Sequence, residues 1–147
     1  MKFVIQNRFI TNLLLICACA SLSHLCACRD KQEDALNQLN SEVMKLHNET
    51  MSKIGDMYEL KKALKKRSDA TSEDSTQLKE ALLEAQLSLS KADDNMMQWM
   101  HNYTEGKSIA RPFEDKIKFF KSQKDSIQMV NNQIYMSIAV ASKYVKL

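Results

Sequence analysis

Gly55, Gly106 and Pro112 are the only glycines and proline in 147 residues, and this scarcity limits the fold more than any other feature. A sheet built from several hairpins needs turn residues at short intervals, because tight turns call for a positive φ or a fixed one. This chain has almost none to spend. What remains open to it is a few long helices joined by a few loops.

The apolar positions follow helical spacing. Leu36, Leu39, Val43, Leu46, Ile54, Met57, Leu60 and Leu64 fall largely on one stripe, and Leu78, Leu82, Ala85, Leu89, Ala92, Met96, Trp99 and Tyr103 alternate by three and four. Phe113, Ile117, Phe120, Ile127, Ile134, Ile138, Ala141 and Val145 form a third stripe, interrupted by polar Lys124 and Asn131. Lys65, Lys66 and Arg67 suit a helix C-terminus, and Thr71 to Asp74 offers caps and acidic charge for the next start. Pro112 fits the first turn of a third helix, ahead of Glu114 and Asp115. The spacing therefore predicts an all-α fold, an antiparallel up-down-up bundle of three long helices over residues 36–147, at about 32–67, 73–104 and 112–145.

Residues 1–27 have a different character. Lys2 and Arg8 precede the apolar run Leu13-Leu14-Leu15-Ile16, while Asn12, Ser21, Ser23 and His24 make the stretch too interrupted for a membrane span. It reads as a removable export signal. Leu25-Cys26-Ala27-Cys28 resembles the lipobox of bacterial lipoproteins, which implies cleavage before Cys28, a diacylglyceryl thioether on that cysteine and usually acylation of the new amino terminus. Several acyl chains on one residue make attachment durable, at ~0.8 kcal/mol per buried methylene. Ile16-Cys17-Ala18-Cys19 is a poorer second match, and a plain secreted protein is the simpler alternative. On the Cys28 reading, residues 28–35 are a lipidated tether and the protein is a membrane-held component of the cell envelope.

That reading alters the composition of the working domain. All four cysteines lie at 17, 19, 26 and 28, so no thiol is left for disulfides or thiolate metal sites. Of 21 basic residues, Lys2 and Arg8 leave with the signal, and the remaining 19 face 18 acidic ones. A nearly neutral domain gives no electrostatic reason to bind nucleic acid. The basic run Lys61, Lys62, Lys65, Lys66, Arg67 reads first as a solvated helix end, and otherwise as a contact for anionic lipid or a partner.

The distinctive chemistry is methionine and histidine. Met44, His47 and Met51 fall on the first predicted helix, and Met96, Met97, Met100 and His101 on the second, at spacings that bring neighbours onto adjoining faces. Folding the first hairpin about residue 71 sets Met44 and His47 level with residues near 95–98, and the second hairpin brings Phe119 and Phe120 to that level. A methionine and aromatic core layer is the simplest reading, with Gly55 allowing close helix approach and His47 bonded to a neighbour such as Asp93 or Asp94. The alternative is a soft-metal site for Cu(I) at His47, Met51, Met96 and Met100, since thioether sulfur and imidazole nitrogen suit that ion. Haem held by methionine and histidine, and a methionine-lined peptide groove, are further possibilities. No Cys-x-x-Cys-His stands in the chain, so covalent haem is not indicated.

His47-Asn48-Glu49-Thr50-Met51-Ser52-Lys53-Ile54-Gly55-Asp56-Met57 and Ala92-Asp93-Asp94-Asn95-Met96-Met97-Gln98-Trp99-Met100-His101 together resemble a family of small Gram-negative lipoproteins of unknown function, often given the automatic name "viral A-type inclusion protein". The family often has proline and methionine where Ser52 and Ile54 stand, and Ile54 cannot ligate a metal. The resemblance implies a lipoprotein with a helical bundle and transfers no activity.

Enzymatic motifs are lacking. There is no glycine-rich phosphate loop and no serine in a nucleophile-elbow setting, and Asp93 and Asp94, adjacent on a helix, point in different directions. The Asp-Ser-Thr and Asp-Ser-Ile triplets at 74–76 and 125–127 resemble bacterial O-glycosylation acceptors, a pattern short enough to recur by chance. The sequence thus predicts a non-enzymatic interaction or structural protein with no resident cofactor and no small-molecule substrate. Its partners are the membrane, through the lipid, and an envelope protein. The runner-up is Cu(I) binding, and a chaperone-like periplasmic binder stands beside it. Replacing Cys28 with serine is expected to abolish palmitate labelling and membrane fractionation; persistent labelling would move the anchor to Cys19 or Cys26.

Overall fold

The computed structural model describes residues 30–72 and 75–145; Cys28, the signal-like segment, Glu73 and Asp74 lie outside them. The chain divides between Gln38 and Leu39 into two units. In the first, residues 30–38 are helical. The second holds the remainder of that helix, α1 (30–51), and three more: α2 (Ile54–Ala70), α3 (Thr76–Ser108) and α4 (Phe113–Val145). The fold is all-α.

Helix α2 packs on both α3 and α4, and these two pack on each other. Cross-helix contacts give the register. Tyr103 meets Asn40 and Met100 meets His47, so numbers fall along α3 as they rise along α1, whereas Lys124 meets Glu42 and Arg67 meets Tyr144, with numbers rising together. These pairings are compatible with the up-down-up order. The predicted stripes supply the core: Val43, Met57 and Leu64, then Leu82, Leu89, Met96 and Trp99, then Phe120, Ile127, Ile134 and Ala141 are buried. Each large apolar side chain so buried contributes about 1.5–3 kcal/mol.

The single first helix predicted over 32–67 is interrupted at Ser52–Lys53. The cause is local hydroxyl competition for backbone carbonyls. Thr50 Oγ1 donates back to the Leu46 carbonyl at 2.7 Å and Ser52 Oγ to that of Glu49 at 2.6 Å. The Lys53 amide then bonds Thr50 at 3.0 Å, three residues back, which tightens the turn before Met57 resumes the α pattern on Lys53. Helix ends shift as well. Helix α3 starts at Thr76, after a turn closed by the Ser75 amide on the Ser72 carbonyl, and runs to Ser108, beyond the 104 predicted.

Arginines finish two of the helices. Arg111 donates to the Gly106 carbonyl at the end of α3, and Arg67 reaches across to the Tyr144 carbonyl at the end of α4. Both satisfy carbonyls that a helix C-terminus leaves open, with charge of the favourable sign.

The glycine that matters for packing is Gly106, and not Gly55. A Cβ on Gly55 meets nothing within 4 Å, whereas one on Gly106 would lie 2.5 Å from Phe119 Cε2. Opposite outcomes are therefore expected in urea unfolding. Gly55→Ala stabilises by about 0.5–1 kcal/mol through the unfolded chain and helix propensity. Gly106→Ala destabilises by about 1–3 kcal/mol through overpacking.

Candidate functional site

Met44 and His47 stand one turn apart on α1, and Trp99, Met100 and Tyr103 follow the three-four spacing of α3. Where these faces meet they line a cleft of about 540 Å³, to which Thr104, Lys107 and Ser108 also contribute. The His47 ring is fixed from three directions. Its Nδ1 lies 3.1 Å from Asn48 Oδ1, its face stacks on Trp99 with centroids 5.6 Å apart, and its Nε2 lies 3.2 Å from Met100 Sδ. An amide oxygen only accepts, so the Asn48 contact favours the neutral tautomer with its proton on Nδ1, which turns the Nε2 lone pair toward sulfur.

The stacking continues through the bundle. Trp99 lies on Tyr103 at 5.0 Å, and Tyr103 on Phe119 at 6.0 Å. Phe120 meets Phe119 edge-on at 5.4 Å, and the Arg111 guanidinium caps the Phe119 ring at 4.6 Å. Pairs of this kind are worth about 0.5–1.5 kcal/mol beyond their area. Tyr103 also donates to Asn40 Oδ1, which accepts a second bond from Lys107 Nζ at 3.1 Å.

The four residues predicted as a metal set separate into different environments. His47 and Met100 come together. Met96 is 0 % exposed within the core and Met51 is 37 % exposed on the surface. Met97 and His101 point outward, as their place on the stripe predicts, with His101 beside Glu105 at 3.2 Å. Asp93 does not hold His47; it faces Lys61 at 3.7 Å. The correction comes from the first loop. Helix α3 begins at Thr76, later than the 73 predicted, and His47 lies about one turn further along α3 than folding about residue 71 places it, at Trp99 and Met100.

A second cleft system runs along the seam of α3 and α4. Asn95 Nδ2 donates to Gln133 Oε1 across it at 2.8 Å, dividing a cleft of about 280 Å³ over Ser88, Ala92 and Ser137 from one of about 260 Å³ over Trp99, Gln123 and Val130. Two residues of the latter carry buried polar atoms with no partner among the described residues: the Trp99 Nε1–H, a donor, and Gln123 Oε1, an acceptor. Exposed methionines stand along the seam, Met129 at 60 % on the cleft over Trp99 and Met136 at 69 % on the cleft over Ala92. Sequence reading misses Gln123, because a glutamine among exposed polar neighbours carries no periodic signal.

Burial raises the Tyr103 phenol above its ordinary value of 10.0. The fold thus holds the neutral form: the stability this contributes is complete below about pH 10 and is lost as pH climbs through the raised value. In an alkaline titration followed by phenolate absorbance, Tyr103→Phe is expected to remove the last phenol to ionise. The same variant loses about 0.5–1.5 kcal/mol in urea unfolding, one hydrogen bond's worth, with the ring stack retained.

Comparison with protein-family models, with curated proteins and with solved structures finds no match for this chain.

Proposed function

We propose that the protein is a lipid-held helical bundle of the cell envelope with a non-enzymatic role, binding a polypeptide segment of another envelope component along the α3–α4 seam. The observation that carries the binding role is the pair of buried, unpaired polar atoms, Trp99 Nε1–H and Gln123 Oε1, on residues of one cleft that exposed Met129 also lines. Leaving such a donor and acceptor unmade costs about 1–3 kcal/mol each, a cost that a ligand with both functions relieves when the side chains covering these atoms move aside to admit it. A peptide backbone supplies a carbonyl and an amide at every residue. The amides of Asn95, Gln98 and Asn102 line the same cleft, and methionine, being unbranched and polarizable, adapts to varied side chains at its edge.

The anchoring half of the proposal rests on Leu25-Cys26-Ala27-Cys28 and its resemblance to a lipobox. Among the described residues no helix is long and apolar enough to cross a membrane, so on this reading attachment falls to the lipid.

A photocrosslinking amino acid tests the seam in cells. Placed at Met129 it is expected to give a discrete protein adduct, and placed at exposed Tyr58 on α2 it gives none. Met136→Lys, which leaves the helical circular dichroism unchanged, removes the Met129 adduct. Equal adducts from both positions, or an adduct indifferent to Met136→Lys, would sink the seam as a binding surface.

A further inference from the structure

The geometry points to a soft-metal site in the cleft between α1 and α3, in which His47 Nε2, Met100 Sδ and Met44 Sδ take one Cu(I) ion beside Trp99. This inference stands apart from the peptide seam and from lipid anchoring, and its ligand set differs from the one the sequence suggests: Met44 replaces Met51 and Met96.

The carrying distance is 3.2 Å between His47 Nε2 and Met100 Sδ. In the tautomer that donates Nδ1–H to Asn48 Oδ1, two lone-pair atoms, Nε2 and Sδ, face each other without a proton between them. Such an arrangement is weakly bonding at best, since thioether sulfur is a poor hydrogen-bond partner, but it is what a cation between the atoms requires. A metal about 2.0 Å from nitrogen and about 2.3 Å from sulfur sees atoms at that separation at an angle of about 95°, so the pair opens by a few tenths of an ångström to reach the ~109° of a tetrahedral site. Two of the three ligands therefore stand close to their bound spacing before any ion arrives.

Met44 completes the set. It lines the same cleft one turn before His47, and its flexible chain allows the sulfur to close on an ion held by the other two. Met96 is fully buried in the core and Met51 is exposed, so neither is offered to the cleft. The bond from His47 to Asn48 fixes both ring orientation and tautomer, as the outer partner of a ligating histidine does.

The donor set selects the ion. Two thioethers and one imidazole are neutral and soft, which suits Cu(I) and serves poorly for Zn(II), Mg(II) or Ca(II). Among the described residues no three His, Asp or Glu side chains gather as a competing site for a harder ion. Trp99, stacked on His47, walls the site and holds the imidazole in place. The one positive charge lining the cleft, Lys107, is drawn aside: its ammonium bonds Asn40 and lies 5.8 Å from the centre of the Tyr103 ring.

Trp99 is the only tryptophan in the chain, so its emission reports on this site. The test uses the full chain in detergent, with Cys17, Cys19, Cys26 and Cys28 each replaced by serine to remove thiols, and Cu(I) supplied as its bicinchoninate complex. One equivalent of Cu(I) is expected to leave the chelator with quenching of Trp99 emission, and a large excess of Zn(II) does not displace it. Met44→Leu and Met100→Leu, which conserve volume and so preserve the fold, each weaken binding at least tenfold; His47→Ala removes it. Met51→Leu and Met97→Leu bind like the parent. The site is overturned if Cu(I) stays with the chelator, if Met100→Leu binds as tightly as the parent, if Zn(II) displaces the ion, or if Met51→Leu is as damaging as Met100→Leu.

Discussion

The approach of the Phe119 ring to the backbone of Gly106 sets the geometry of one whole end of the bundle. Because Gly106 has no side chain, Phe119 on α4 lies against α3 at a distance no Cβ would permit. From that position it supports Tyr103, Tyr103 supports Trp99, and Trp99 supports the imidazole of His47 on α1. A stack of flat rings transmits position well, because each ring has few rotamers and a broad area of contact. The placement of one histidine nitrogen relative to a sulfur on the neighbouring helix is thus tied to a missing side chain two turns away.

Much of this was legible in the chain. The scarcity of glycine and proline and the three apolar stripes were enough to anticipate an all-α fold, since burial follows the period of the helix, and the level at which Phe119 and Phe120 meet the α3 aromatics followed from hairpin folding. The partner of His47 was not legible, because pairing across a hairpin depends on where the loop turns, and a displacement of two residues there moves the match by about a turn. That displacement exchanges buried Met96 for Met100 and brings Met44, not Met51, to the cleft. The interruption at Ser52–Lys53 was hidden for another reason: Thr50 and Ser52 look like ordinary helix-surface residues until their hydroxyls turn back to Leu46 and Glu49. Gly55 attracted attention for its rarity, yet it faces open space.

Trp99 sits where the two cleft systems come nearest to sharing a wall, since it lines both the α1–α3 cleft and the α3–α4 seam. Its ring face serves the first through His47. Its indole N–H is unmatched by any acceptor among the described residues. In a largely apolar core, this is a large residue with an unfinished polar requirement. Such a group stays in a fold at a cost, and part of that cost falls on the residue that touches both candidate sites.

The two arginine contacts at the helix ends bear on how the molecule opens. Helix termini usually fray independently, a turn at a time, with little free energy. Here the Tyr144 carbonyl of α4 is held by Arg67 of α2, so the end of α4 and the end of α2 share a fastening. Loosening either one takes a partner from the other, which couples the fraying of two helix ends into a single cooperative step.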